Sequence, residues 1–170
     1  MSNEVLLKDY IKYRKELSLE EFIKKYPDPV LVPIGYLSAA EIRASKEDST
    51  ALLLLNYKPG HESGKSHPLA GKVMILSSKK DKIYIGRSPN NDIVIPDQTV
   101  SSNHAVIGFL GGQVAIIDLG SKNGTFVNLE QLEPEQYVPL EDEDIISFGR
   151  YSFQFFTAKG FYFTLGLLTV

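Results

Sequence analysis

Three short polar stretches of this 170-residue chain hold the side chains best suited to chemistry. They are Gly86-Arg87-Ser88-Pro89-Asn90-Asn91-Asp92, Val100-Ser101-Ser102-Asn103-His104-Ala105, and Asp118 through Asn128 with Ser121-Lys122-Asn123-Gly124 at its centre. Each follows one apolar run and precedes another. Brought to one edge of a fold, they would assemble two cations (Arg87, Lys122), two hydroxyls (Ser101, Ser102) and an amide (Asn123). Arginine makes bidentate, charge-assisted hydrogen bonds to phosphate. Serine hydroxyls and loop amides fill the remaining oxygens. Asparagine offers a peptide backbone both a donor and an acceptor. None of the five is a carboxylate that would repel an anion. The set suits a phosphorylated peptide.

Other motifs carry less. Pro59-Gly-His-Glu-Ser-Gly-Lys-Ser66 is a near miss to a phosphate-binding P-loop, with proline where the first glycine belongs. Such a loop must open a helix, and here Pro68, Gly71 and a strand pattern follow, so a flexible loop is expected. His61 and His67, six apart and without cysteine, make a poor metal site. Glu141-Asp-Glu-Asp144 lacks the glycine and spacing of a calcium loop. Ser101 and His104 share one tight loop, but no nucleophile elbow surrounds them. The chain is therefore expected not to be an enzyme, and to need neither cofactor nor metal.

The elements that must position the three loops show a period of two. Leu52–Tyr57, Lys72–Ser77, Lys82–Ile85, Asp92–Ile95, Ala105–Phe109, Gln113–Leu119, Thr125–Asn128, Gln136–Leu140, Asp144–Phe148, Tyr151–Phe156 and Phe161–Leu165 read as strands. Turn residues separate them every 8–12 positions or so, the mark of an antiparallel sandwich or barrel. The first 50 residues differ. Leu6, Leu7, Tyr10, Ile11 and Leu17 recur at helical spacing, with Ser2 or Asn3 as cap. Ser18-Leu-Glu-Glu21 is a capping box for a second helix, which Pro27 and Pro29 end. Residues 29–33 are extended, and Ser38-Ala-Ala-Glu41 opens a further short helix. Lys46–Thr50 reads as a linker, which divides the chain into a helical extension, 1–48, and a β domain, 50–168. The helices either pack on that domain or form a docking arm; amphipathic stripes favour packing.

Composition narrows the class. There is no cysteine, hence no disulfide or thiolate site. No apolar run approaches the roughly 20 residues of a membrane-spanning helix, and the acidic N-terminus is not a signal peptide. A cytoplasmic protein without membrane association is expected. Lys58–Arg87 holds seven basic residues and two acids, whereas Asp92–Asp144 holds ten acids and one base, Lys122. That asymmetry disfavours nucleic acid as a partner and leaves room for one local anion site.

In order and in register, Gly86-Arg87, Asp92-Ile-Val-Ile95, Val100-Ser101-x-x-His104-Ala105, Asp118-Leu-Gly-Ser-x-Asn-Gly-Thr-Phe-Val-Asn128 and Leu140-x-Asp-x-Asp144-x-Ile-x-Phe-Gly149 resemble the forkhead-associated (FHA) domain family. The likeness spans about residues 50–168. It implies an all-β, eleven-stranded antiparallel sandwich (FHA/SMAD-like) after the N-terminal helices. It also implies recognition of phosphothreonine in a partner protein, in a pathway with a Ser/Thr kinase; the short extension beside one such domain suits a bacterial signalling adaptor. By resemblance, Arg87 and Ser101 contact the phosphate and Asn123 grips the peptide backbone. Gly86, His104 and Gly124 shape the loops. Two departures stand out. Ser102 occupies a position where the family often has arginine or asparagine, and Lys122 is placed to compensate. After Asn128, Leu129–Pro134 replaces a glycine-closed tight turn with what reads as a longer acidic loop. A rival reading keeps the fold and drops phosphate: an interaction or scaffold module using the sheet face or the helices. Thr50, beside Lys46–Ser49, is a further candidate phosphosite.

Overall fold

Alternation of side chains builds the strands. In Lys82-Ile83-Tyr84-Ile85, Ile83 and Ile85 are buried and their neighbours exposed, so one face of the pleat is dry and the other wet. The computed structural model describes residues 5–35, 69 and 71–168. The expected strand 52–57, the helix opening at Ser38, the linker with Thr50, and the loop with His61 and His67 lie outside the described residues.

Chain order is α1 (Leu7–Glu16), α2 (Leu19–Lys25), β1 (Val30–Gly35), β2 (Met74–Ile75), β3 (Lys82–Gly86), β4 (Ile93–Val94) and β5 (Ala105–Leu110). Then come β6 (Gln113–Asp118), β7 (Thr125–Val127), β8 (Glu130–Gln131), β9 (Val138–Pro139), β10 (Ile145–Phe148), β11 (Tyr151–Phe156) and α3 (Ala158–Leu167). Two sheets form the sandwich, one ordered β2-β1-β11-β10-β7-β8 and the other β4-β3-β5-β6-β9. Their facing sides share a core that includes Leu31, Ile85, Ile107, Ile116, Phe148, Phe153 and Phe155.

Three details differ from the pattern in the sequence. Phe161–Leu165 is helix, not strand. Ala158, Phe161, Tyr162 and Leu165 recur at helical spacing and are buried together, and a short apolar run fits either period until a cap decides it. The cap is Thr157, whose hydroxyl accepts from Gly160 N at 3.2 Å. The sandwich is also not wholly antiparallel, since β4 runs parallel to β3. Third, the stretch after Asn128 is a tight hairpin. Asn128 and Leu129 both have positive φ, 51° and 73°, and Val127 pairs with Glu130. Two such residues make the turn whose twist suits a hairpin. Leu129 takes this conformation without glycine, so the alternation signal was masked by an unusual turn residue.

The N-terminal segment is integral to the sandwich. β1 pairs with β11, Val30 opposite Phe156 and Leu31 opposite Phe155. Leu31 points to the central core, whereas Val30, Val32 and Phe156 point outward to a second cluster with Leu7, Tyr10, Phe22, Phe161, Tyr162 and Leu165. The three helices thus cover the outer face of the six-stranded sheet. The capping box of α2 is present, with Ser18 N donating to Glu21 Oε2 at 2.8 Å and Glu21 N donating to Ser18 Oγ at 3.3 Å. Aromatic rings meet edge to face, Tyr10 with Phe161 at 5.1 Å and Phe22 with Tyr162 at 5.3 Å. Burial pushes the Tyr10 hydroxyl up to about 12, with the neighbouring Tyr26 and Tyr13 adding to it.

Phe161 is 1% exposed and Phe163 is 52% exposed on the same helix. Phe161→Ala is expected to lower the unfolding free energy by about 3–5 kcal/mol, as cavity-forming core truncations do. Phe163→Ala is expected to change it by no more than about 0.5 kcal/mol. Urea unfolding of both variants makes the comparison.

Candidate functional site

Strand register puts the three loops on one edge. β5 lies between β3 and β6, and Ala105 at its start pairs with Ile85 near the end of β3 and with Asp118 at the end of β6. Antiparallel neighbours therefore bring the exit of β3, the entry of β5 and the exit of β6 side by side. The three stretches 86–92, 100–105 and 118–128 read in the sequence fall here, and in the structure the second loop begins earlier, at Asp97.

His104 joins the second loop to the third and to the end of β3. Its ring is fully buried. Nδ1 accepts from Ser101 N at 3.0 Å, and Nε2 lies 3.0 Å from Gly124 O. Since a carbonyl only accepts, Nε2 carries the proton and donates. The His104 backbone adds bonds from its N–H to Ile85 O, 2.9 Å, and from Leu119 N to its carbonyl, 3.0 Å. The ring also stands edge-on to Phe148 at 5.6 Å. Burial holds the imidazole pKa below its ordinary value; the Gly124 bond and the Asp118 charge oppose this but do not overcome it.

The first two loops are laced together through the backbone. Arg87 N donates to Ser101 O at 2.9 Å and Ser88 N to Ser102 O at 3.1 Å. Gly86 makes that approach possible, because a Cβ there would sit 2.3 Å from Ser102 O. Asn91, almost buried, donates from Nδ2 to both Ser88 O (2.8 Å) and Ser102 O (2.6 Å). The Arg87 guanidinium lies along the second loop, with Nε donating to Val100 O at 3.1 Å and Nη2 to Ser102 Oγ at 3.5 Å. Arg87 itself is exposed. An exposed guanidinium held at Nε and Nη2 still has N–H donors left for a ligand.

The third loop is shaped by Asp118, 2% exposed. Its carboxylate accepts from Gly120 N, Ser121 N, Ser121 Oγ and Thr125 Oγ1 at 2.6–3.0 Å. Burial raises its pKa, but these bonds outweigh burial and hold it below the ordinary carboxylate value. Lys122 N donates to Ser101 Oγ at 3.0 Å, so this hydroxyl is turned to receive from the third loop and retains its hydrogen to donate. Asn123 Nδ2 donates to Thr99 O at 2.8 Å. Gly124, at φ +83°, completes the turn and presents its carbonyl to His104.

Each residue singled out in the sequence can therefore be placed. Arg87, Ser101 and Ser102 are linked directly, and Lys122 and Asn123 reach the second loop by a backbone and a side-chain bond respectively. Lys122 and Asn123 are exposed beside them. Gly86, His104 and Gly124 are the points where the loops touch. The sequence reading placed Asn91 and Asp118 in the polar stretches without giving them a role, and missed Asp97, Thr99 and Arg150. Asp118 had a local signal, since an Asp two and three residues before loop amides accepts their bonds. Arg150 had none, because its partner Asp97 is 53 positions away. Among the described residues no cluster of three metal-ligating side chains occurs, and no helix is long and apolar enough to cross a membrane.

Comparison with known proteins agrees with this geometry. Residues 83–149 match the family model of the FHA domain. The glycogen accumulation regulator GarA of Mycolicibacterium smegmatis is 36% identical over 93 residues, 55% of this chain and 56% of that protein. An oxoglutarate dehydrogenase inhibitor of Corynebacterium jeikeium is 36% identical over 91 residues, 54% of this chain and 60% of that protein. The chain thus spans little more than half the length of these curated relatives. Among solved structures, the FHA domain of a hypothetical protein from Arabidopsis thaliana superimposes with a TM-score of 0.54 at 26% identity, covering 76% of this chain and 85% of that one. An FHA domain studied for phosphothreonine-dependent interactions shares the fold, with a TM-score of 0.50 at 22% identity over 76% of this chain and 96% of that one. Over residues 83–149 the chain is thus similar to the FHA domain.

The neutral His104 predicts a pH dependence. Unfolded, the imidazole takes a proton near 6.5, whereas the buried ring resists it to lower pH. The unfolded state then binds more protons, so stability is full above about 6.5 and falls as pH drops through the folded value, by at most about 1.4 kcal/mol per pH unit. Denaturant titrations from pH 7.5 to 5 are expected to show this slope in the wild type and its loss in His104→Gln.

Proposed function

We propose that this domain binds a phosphothreonine-containing segment of a partner protein and acts as a phosphorylation-dependent adaptor downstream of a Ser/Thr kinase. The carrying observation is the interlocked edge itself. Arg87, Ser101 and Ser102 lie within one hydrogen-bonded patch, with Lys122 and Asn123 beside it, and none of these five is an acid. The nearby carboxylates are engaged, Asp97 with Thr99 and Arg150, and Asp118 within the third loop.

A phosphothreonine brings about −1.5 to −2 charges and three strong acceptor oxygens. Arg87 supplies guanidinium donors and Ser101 supplies its hydroxyl hydrogen. The Lys122 ammonium adds charge where the family often has a basic or amide residue at position 102. Asn123 takes the peptide backbone. The loops are already bonded to one another, so little ordering cost falls on binding. FHA relatives also suggest a preference for threonine over serine. The activity is recognition, with no nucleophile–base pair in the arrangement: His104 Nδ1 is spent on a backbone amide rather than on a hydroxyl.

Titration with a degenerate phosphothreonine peptide library tests the proposal. Wild-type protein is expected to bind in the micromolar range and not to bind unphosphorylated peptide. Arg87→Ala is expected to lose about 10²-fold in affinity, the worth of one or two charge-assisted bonds. Equal binding of phosphorylated and unphosphorylated peptide would favour the scaffold reading instead.

A further inference from the structure

Two residues of the site are aimed by a segment that contributes no donor of its own to it. Arg87 Nε donates to Val100 O, and Asn123 Nδ2 donates to Thr99 O. These are successive carbonyls. Whatever fixes Thr99-Val100 therefore fixes both the phosphate-facing guanidinium and the peptide-facing amide.

That segment is held from two directions. Internally, Asp97 accepts from Thr99 N at 2.8 Å and from Thr99 Oγ1 at 2.5 Å, and Val100 N donates to Asp97 O at 3.1 Å. From outside, the turn between β10 and β11 closes on it. Arg150 gives Asp97 Oδ2 a two-pronged contact through Nε, at 3.1 Å, and Nη2. Tyr151 OH donates to the same oxygen at 3.2 Å. Arg150 N donates to Thr99 Oγ1 at 3.2 Å. Gly149 lets the two turns touch, because a Cβ there would lie 2.5 Å from Thr99 O. Asp97 is buried. Burial would raise its pKa, yet the Thr99 bonds and the Arg150 charge hold it at about 2, so the carboxylate stays ionised throughout the physiological range.

We infer that Asp97, Thr99 and Arg150 are positioning residues for phosphopeptide recognition, acting through the Thr99 and Val100 carbonyls on Asn123 and Arg87. The inference rests on the binding function proposed above. It assigns the β10–β11 turn, which lies outside the three recognition loops, a part in their affinity. The paired fork of arginine gives this contact a geometry that lysine does not reproduce, and a hydrogen-bonded carboxylate left without its partner is costly to bury.

The test uses the full chain and three substitutions. Arg150→Ala opens the outer clamp, and the Arg150 side chain is 41% exposed, so the fold is expected to persist. Thr99→Val removes the hydroxyl at nearly constant volume, and Thr99→Ser restores it. Two measurements are made: affinity for the best phosphothreonine peptide from the library, and the side-chain amide resonances of Asn123 by ¹⁵N NMR without ligand. Arg150→Ala and Thr99→Val are each expected to weaken binding about tenfold and to shift the Asn123 amide signals, while the sheet amides stay in place. Thr99→Ser is expected to match the wild type in both. An Asn123 signal and an affinity unchanged in Arg150→Ala and Thr99→Val would overturn the inference. So would a tenfold loss with the Asn123 signal unmoved, since affinity would then be lost by another route. If the wild type binds no phosphothreonine peptide, the binding function itself fails, and the Asn123 resonances alone still decide whether the clamp positions that side chain.

Discussion

The buried imidazole of His104 is the contact on which the recognition edge depends. One neutral ring accepts from Ser101 N and donates to Gly124 O, spanning the second and third loops with its two nitrogens. No other uncharged side chain offers a donor and an acceptor on opposite sides of a rigid ring. A protonated ring would have to present a donor to the Ser101 N–H, so the site requires the neutral form. Burial beside Phe148 enforces that form. The electrostatics of this edge, with its exposed Arg87 and Lys122, thus begins with a group kept uncharged.

Around that ring the loops behave as one body. Gly86 admits Ser102 O, Asn91 bridges Ser88 and Ser102, Asp118 folds the third loop, and Asp97 folds the second. These bonds join side chains to backbone, some within a loop and some, such as Asn91 to Ser102 and Asn123 to Thr99, between loops. Such a lattice is rigid for its size, because shifting one loop breaks bonds in another. It leaves Arg87, Lys122 and Asn123 exposed on its surface as the adjustable parts. For the peptide binding proposed above, preorganisation of this kind removes most of the cost of ordering the loops.

The remainder of the chain supports the edge from behind. The central core fixes the two sheets, and β1 with the three helices seals the outer face of the six-stranded sheet. β11 serves both: Phe155 enters the central core and Phe156 the helical cluster. The same strand begins at Tyr151, whose hydroxyl reaches Asp97. A continuous path of packed and bonded groups therefore runs from the helices, through β11, to the second loop.

Residue pattern alone was enough for the sandwich class, the two N-terminal helices and the choice of five residues that the fold brings to one edge, Arg87, Ser101, Ser102, Lys122 and Asn123. Period-two alternation and proline–glycine punctuation are local signals, and Gly86-Arg87, Ser101, His104 and Asn123-Gly124 can each be read directly from the chain. It misjudged Phe161–Leu165, because five apolar residues satisfy either period until the Thr157 cap and the waiting aromatic cluster select the helix. It missed the hairpin at Asn128-Leu129, because leucine seldom accepts positive φ. What orients these side chains became visible only in the fold. Asp97 meets Arg150 across 53 residues, and Thr99 meets Asn123 across 24. Such pairings depend on where two strands end in space, and no local pattern of residue types encodes that distance.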